Sequence, residues 1–159
     1  MRLRRSRSPQ VLPGAPRLLV PFSGGQLDPA VLDAALRIAR ADGAVFVPAY
    51  LIMVPFALSL DSPLRQEVEL ALPLLEAVEL HALDEGVPVD ARLERGRSLR
   101  DALRRLWEVE SFDRILLPVS ADERTGFDER DIAWILMNAP TETLALRPAS
   151  GSVRARVTR

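Results

Sequence analysis

Short apolar runs alternate along this chain with longer stretches in which apolar residues recur every three or four positions. Residues 17–23, RLLVPFS, form an apolar run that stops at Gly24-Gly25, as a buried strand would. In the stretch that follows, LDPAVLDAALRIARADG, Asp28 is placed to cap a helix, Pro29 to occupy its first position and Gly43 to close it. Val31, Ala35, Leu36, Ile38 and Ala39 give that helix an inward face. Residues 44–51, AVFVPAYL, read as a second strand, in which Pro48 is awkward for a central position and predicts a bulge or a bent end.

Ser62-Pro63 opens a long helix that runs to about Glu85, with Leu64, Val68, Ala71, Leu75, Val78 and Ala82 at spacings of four and three. Pro73 should kink it. His81 lies outside that series and reads as a partly exposed residue without a partner. Gly86 ends the helix, and VPVDARLE (87–94) alternates as a half-buried strand does. Ser98 then caps a helix with Asp101 three residues on, and Leu99, Ala102, Leu103, Leu106 and Trp107 form its stripe. DRILLPV (113–119) predicts a fourth strand, Asp128 caps a fourth helix through about Ala139, and ETLALRP (142–148) predicts a fifth strand. Strand and helix alternate throughout, so the expected fold is α/β, doubly wound, with a parallel sheet between two helical layers. In such folds ligands sit past the strand C-termini, at the point where strand order reverses.

Composition narrows the chemistry. The 159 residues, 48% hydrophobic and 27% charged, suit a single globular domain. With no cysteine, disulfides, thiol catalysis and cysteine-held metal are excluded, and with one histidine a metal site would have to rest on carboxylates. Every one of the 21 basic residues is arginine, so a phosphate-loop lysine, a Schiff-base lysine and a lysine general base are impossible. Asp61, Asp90 and Asp101 fall in different elements and do not form an acid–base pair. Tyr50 and Trp107 read as packing residues, and Trp134 as core or interface.

The net charge of −1 is unevenly spread: residues 1–17 carry five arginines and no acid, and residues 147–159 carry four arginines and no acid. An acidic body therefore lies between two basic ends. Residues 1–16 and 149–159 read as disordered arms flanking a domain over 17–148. Such arms could touch nucleic acid or anionic lipid by charge alone, but solvated tails are the simpler expectation, and nucleic acid is not an expected partner. The uncharged stretch from Gly43 to Leu60 is 18 residues long, at the lower edge of a membrane span. Pro48 and Pro55 would break its hydrogen-bond ladder, so a strand and an apolar loop are expected, with no membrane span. The first residues lack the apolar core and cleavage site of a secretory signal, which makes a cytoplasmic protein the expectation.

The order of these stretches resembles the universal stress protein family, within the adenine-nucleotide α-hydrolase-like folds. RLLVPFSGG is similar to the family's first strand and turn, AVLDAALRIARADGAVFVPAYL to its first helix and second strand, and ERGRS (94–98) to the glycine-bearing turn before the third helix. FDRILLPV resembles the fourth strand, and NAPTETLALRP the closing proline-threonine turn and fifth strand. The resemblance covers residues 17–148 and implies a five-stranded parallel sheet in the order 3-2-1-4-5, Rossmann-like. It also implies a homodimer through the strand at 142–148, an edge in that topology, with a further protein partner as a second possibility.

Nucleotide-binding members of the family carry an acid at the end of the first strand and a glycine loop after the fourth. Here Ser23 stands at the acid position, Pro118 and Ala121 at the two glycine positions, and Glu129, Arg130 and Asp131 where a Gly-Ser pair belongs. Pro118 has no amide to offer a phosphate. The loop over 115–130, ILLPVSADERTGFDER, holds Asp122, Glu123, Asp128 and Glu129 and one glycine, Gly126. Carboxylates in the first turn of the fourth helix would occupy the amides and dipole that an anion needs. The expectation is a non-enzymatic stress-related binding module without a cofactor.

The alternative is an ATP- or AMP-binding protein, with Mg, that uses the Ser-Gly-Gly turn and a remodelled loop after strand four. Its ligand-contacting residues would be Pro21, Ser23, Gly24, Gly25, Leu51, Gly96, Pro118, Ala121, Glu129 and Arg130. Ser23-Gly24-Gly25 with Asp28 is also similar to the SGGxDS loop of the PP-loop ATP pyrophosphatases. The Asp comes one residue late, however, and Pro29 follows where a serine belongs, so a helix-entry turn capped by Asp28 is the plainer reading. Arg97 and Arg100, after the Gly96 turn, are candidates to meet an anion.

Overall fold

In the computed structural model, residues 11–119 and 127–149 and the backbone of 152–158 are described. The elements run β1 (Arg17–Phe22), α1 (Pro29–Asp42), β2 (Val45–Met53), α2 (Arg65–Asp84), β3 (Arg92–Gly96) and α3 (Leu99–Val109). They continue with β4 (Arg114–Pro118), α4 (Glu129–Asn138), β5 (Glu142–Ala149) and β6 (Ser152–Thr158). Strands β1 to β5 are parallel in the order β3-β2-β1-β4-β5, and β6 adds to β5 antiparallel.

Alternate residues of β1 feed two cores. Leu18, Val20 and Phe22 join Val31, Ala35 and Ala39 of α1 and Leu75, Val78 and Ala82 of α2. Leu19, with Val47, Ala49 and Leu51 of β2, meets Leu99, Ala102, Leu103 and Leu106 of α3 and Ile135 of α4. That alternation is the period-2 geometry of a strand covered on both faces.

Local capping follows the residue types. Asp28 accepts a bond from the Ala30 amide at 2.8 Å, and Gly43 closes α1 at φ 61°, in the left-handed region that glycine enters without strain. Ser98 Oγ accepts from the Asp101 amide at 3.1 Å, while the Asp101 carboxylate reaches back to the Arg97 amide at 2.7 Å. α2 begins at Arg65, later than Ser62-Pro63 suggests, because Leu64 takes the cap position with φ 43° and without a side-chain cap bond. The helix continues through Pro73 as one element.

Two expectations are corrected. Pro48 produces no bulge: β2 is one strand with Pro48 paired to Val20 of β1. Phe46 donates to Pro88 O at 2.8 Å on the β3 side, so the amide that Pro48 lacks would face the same way. On that side the ladder is interrupted between the Phe46–Val89 bridge and the Ala49–Arg92 pair, and no donor is missed. The third strand accordingly starts at Arg92 rather than Val87.

The second correction concerns the C-terminal arm, expected to be disordered over 149–159. Residues 152–158 instead pair with β5 from Thr143↔Thr158 to Ala149↔Ser152. In the sequence VRARVT, Val153, Ala155 and Val157 alternate with Arg154 and Arg156, and an open ladder on β5 offers such a segment its backbone bonds. β6 therefore lies outside β5 in the sheet, where the resemblance implied that the 142–148 strand would be the edge. Of the N-terminal arm, residues 1–10 lie outside the described residues; further along, Leu12 O accepts from the Ala15 amide at 3.0 Å in a turn leading into β1. No helix among the described residues is long and apolar enough to cross a membrane.

Candidate functional site

The β1–β4 ladder is short. It holds the pairs Leu18↔Arg114 and Leu19↔Ile115, and stops before Pro21 and Pro118, two residues without an amide to donate. Here, between a β2-facing and a β5-facing half of the sheet, strand order reverses and a crevice is expected. Around it the structure gathers Pro21, buried in β1, half-buried Ser23, exposed Gly24 at φ 74°, and half-buried Gly25 and Pro118. Gly96 sits at the neighbouring end of β3. Leu51 departs from this group: it is 2% exposed and belongs to the core under α3. Ala121, with Asp122, Glu123 and Gly126, lies outside the described residues.

At α4 the carboxylates take the places an anion would need. Asp128 caps the helix and accepts from the Asp131 amide at 2.7 Å, with Glu129 and Asp131 in the first turn. Glu129 and Arg130 are exposed. Asp131 in turn accepts from Arg100 Nε at 2.8 Å, so the helix start is tied to α3 by an ion pair. The positive end of the dipole is therefore already answered from within the fold.

Both arginines considered for an anion are committed elsewhere. Arg97 Nη1 donates to Pro55 O at 2.7 Å and Leu58 O at 2.8 Å, and its guanidinium lies 5.4 Å from the Phe56 ring centroid. Arg95 reaches Leu60 O at 3.4 Å and also bonds Ser62 O. Together these two residues clamp the loop between β2 and α2, satisfying carbonyls that no strand or helix takes up. This clamp is hard to read from the sequence, since Arg95 and Arg97 flank the glycine in a motif that draws attention to phosphate.

Gly96 serves packing. A Cβ built there would come within 2.7 Å of Ala102 Cα, so the absence of a side chain lets α3 sit tightly on the end of β3. Arg100 and Arg104 guanidinium groups lie 5.9 and 5.7 Å from the Trp134 ring, which stacks on Trp107 at 5.8 Å with an interplanar angle of 7°. The stack joins α3 to α4. Trp134 is thus a half-buried inter-helix contact packed against the core.

A second polar cluster lies near the opposite ends of the strands. Arg17 contacts Asp90 at 3.3 Å and Glu110 at 2.8 Å, and Arg92 contacts the same two acids at 3.2 and 2.6 Å. Asp90 thus has charged partners that sequence spacing alone could not reveal, because the fold brings 17, 90, 92 and 110 together. Glu94 follows on β3, and burial raises its carboxyl pKa above the ordinary range; Arg92 opposes the shift and Glu110 adds to it. For Asp101 the pKa moves down, chiefly through the bond from the Arg97 amide and further through Arg105. His81 Nε2 lies 3.4 Å from Asp33 Oδ1, a partner the sequence did not supply. That pair neighbours a groove of about 380 Å³ lined by Asp33, Leu36, Arg37, Arg40 and Glu85, made of helix residues rather than strand ends. Among the described residues there is no cluster of three or more acids and histidines able to hold a metal.

The architecture is that of the universal stress protein fold. Over 81% of this chain and 93% of the other, it superposes on a universal stress family protein from Burkholderia pseudomallei with a TM-score of 0.61 at 20% identity. A universal stress protein from Archaeoglobus fulgidus gives 0.58 at 16% identity, covering 80% of this chain and 92% of that one. A third universal stress protein, solved in complex with cAMP, gives 0.53 at 16% identity, with 82% and 95% covered. No protein-family model matches the sequence, and no curated protein matches it.

Proposed function

We propose that this chain is a universal-stress-type regulatory binding module that works in the cytoplasm without catalysis and without binding ATP. The observation that carries this reading is the start of α4, where Asp128 caps the helix and Asp131 is paired with Arg100. In a fold that receives phosphates at such a helix start, this one offers carboxylates. At about 4 Å, a phosphate charge facing one carboxylate would cost about 4 kcal/mol at an effective dielectric near 20. The clamp formed by Arg97 on Pro55 and Leu58 adds support, since it leaves that guanidinium engaged with backbone oxygens.

Such a protein acts through other chains. The reading is tested by denaturing the purified protein and resolving any released nucleotide by chromatography, followed by calorimetric titration with ATP, AMP and cAMP. No released nucleotide and no binding heat are expected. Near-stoichiometric ATP or AMP would overturn the reading.

A further inference from the structure

Helix α2 is apolar on two sides. One side seats Ala71, Leu75, Val78 and Ala82 in the core. On the other, Leu70, Pro73, Ala77 and Leu80 recur at spacings of three, four and three, which aligns them along one face of the helix. Leu70 is 70% exposed and Leu80 63%, with Pro73 and Ala77 exposed between them. A helix apolar on both sides is normally covered on both, and here the second side is bare.

The two flanks of this stripe differ in charge. Toward α1, His81 meets Asp33 and Glu85 meets Arg40. Along the flank away from α1 run Glu69, Glu76 and Glu79, and none of the three makes an ion pair among the described residues. Pro73 adds an acceptor on the same side. It has no amide, so the Glu69 carbonyl one turn earlier lacks its helical donor.

We propose that this face of α2 docks a basic amphipathic helix of another protein. Its apolar residues would lie on Leu70, Pro73, Ala77 and Leu80, in the manner of helix recognition through anchors every three or four residues. Its arginines or lysines would meet Glu69, Glu76, Glu79 and the Glu69 carbonyl. Charge selects that occupant: across α2, Glu67, Glu69, Glu76, Glu79 and Asp84 stand against one arginine, Arg65. A second copy packed antiparallel on this face would set the glutamate flank against itself, and like charges there repel. The proposal rests on the reading of a module that works through other chains. Its test reads peptide binding and not nucleotide content, so either can fail alone.

The full chain has no cysteine, so Gln66→Cys, one turn before Leu70 on the same face, can carry an environment-sensitive dye. Ala133→Cys, exposed on α4, is the control site. The probe is a synthetic helical peptide with leucines at spacings of four and three and lysines elsewhere. A second peptide replaces each lysine by glutamate, and a third keeps the composition but scrambles the spacing. The lysine peptide is expected to move the dye signal at position 66 and not at 133, and to bind at least about tenfold more tightly than either control. Leu70→Ser with Leu80→Ser, and separately Glu69→Lys with Glu76→Lys, should each weaken it about tenfold with circular dichroism unchanged.

Equal binding by the scrambled peptide, or undiminished binding to a folded variant pair, would reduce the effect to net charge or non-specific contact and overturn the proposal. The two pairs are independent, so if one lost its dichroism the other would decide. A signal at position 66 that grows with protein concentration in the absence of peptide would make a second copy the occupant. One that changes on removal of residues 1–10 would assign the face to the chain's own arginine-rich segment. Either of these results would also reject the proposal.

Discussion

Arg100 and Asp131 meet at 2.8 Å across the gap between α3 and α4, each at the first turn of its helix. The contact brings an arginine to a carboxylate at the start of α4, where the fold could otherwise receive a phosphate. Both side chains remain partly exposed, at 36% and 20%. A double-mutant cycle of Arg100→Ala and Asp131→Ala should give a coupling of about 0.2–1 kcal/mol in urea unfolding. Asp128→Ala should cost more, about 1 kcal/mol, because it removes the cap of α4. If the cap mutant lost no stability, the amide of Asp131 would have another acceptor.

Gly96→Ala should destabilise the fold by about 1–3 kcal/mol through overpacking. The Ala102 backbone stands in the way, and backbone cannot rotate aside as a long side chain can. The denaturant midpoint should fall with an unchanged slope. A neutral result would mean that α3 can lift from β3 without cost.

Arg97→Ala should free the loop between β2 and α2 while sparing the sheet. Its Nη1 holds Pro55 O and Leu58 O, so removal leaves those carbonyls to water. Limited proteolysis should shift to residues 55–62, and amide exchange there should accelerate, with β1 and β4 unaffected. Arg97→Lys should restore little, because an ammonium cannot match the fork of a guanidinium.

Two carboxylates predict opposite pH trends. Glu94 has a folded-state pKa above its unfolded value, so the fold is favoured most when the pH is below the unfolded pKa, and that advantage is lost as pH rises through the folded one. Glu94→Gln should therefore be more stable than the parent at neutral pH, with the difference vanishing in acid. Asp101 has a folded-state pKa below its unfolded value; its stabilisation is full above the unfolded pKa and disappears as pH falls through the folded one. Asp101→Asn should lose stability at neutral pH and converge with the parent in acid. Urea midpoints measured from about pH 3 to pH 7, spanning the ordinary carboxylate range, check both trends.

Much of this arrangement was legible because it is local. Asp28 and Pro29 placed the start of α1, Ser98 with Asp101 the start of α3, and Asp128 the start of α4, each through bonds within a few residues. The acidic start of α4 was readable for the same reason. What escaped depends on distant chain segments meeting. Pro48 looked disruptive because sequence does not say which side of β2 its amide would face. The Arg95 and Arg97 clamp, and the cluster of Arg17, Asp90, Arg92 and Glu110, join residues dozens of positions apart. β6 escaped because its arginines read as tail, while its pairing depends on an open partner strand.

The chain contains two tryptophans, and they lie against each other with nearly parallel rings. Every photon this protein emits from tryptophan therefore originates at the junction of α3 and α4. Two indoles so close and so aligned should couple electronically, giving a paired band in the ultraviolet dichroism that neither ring would give alone. Whatever loosens α4 from α3 would announce itself in that band without any label being attached.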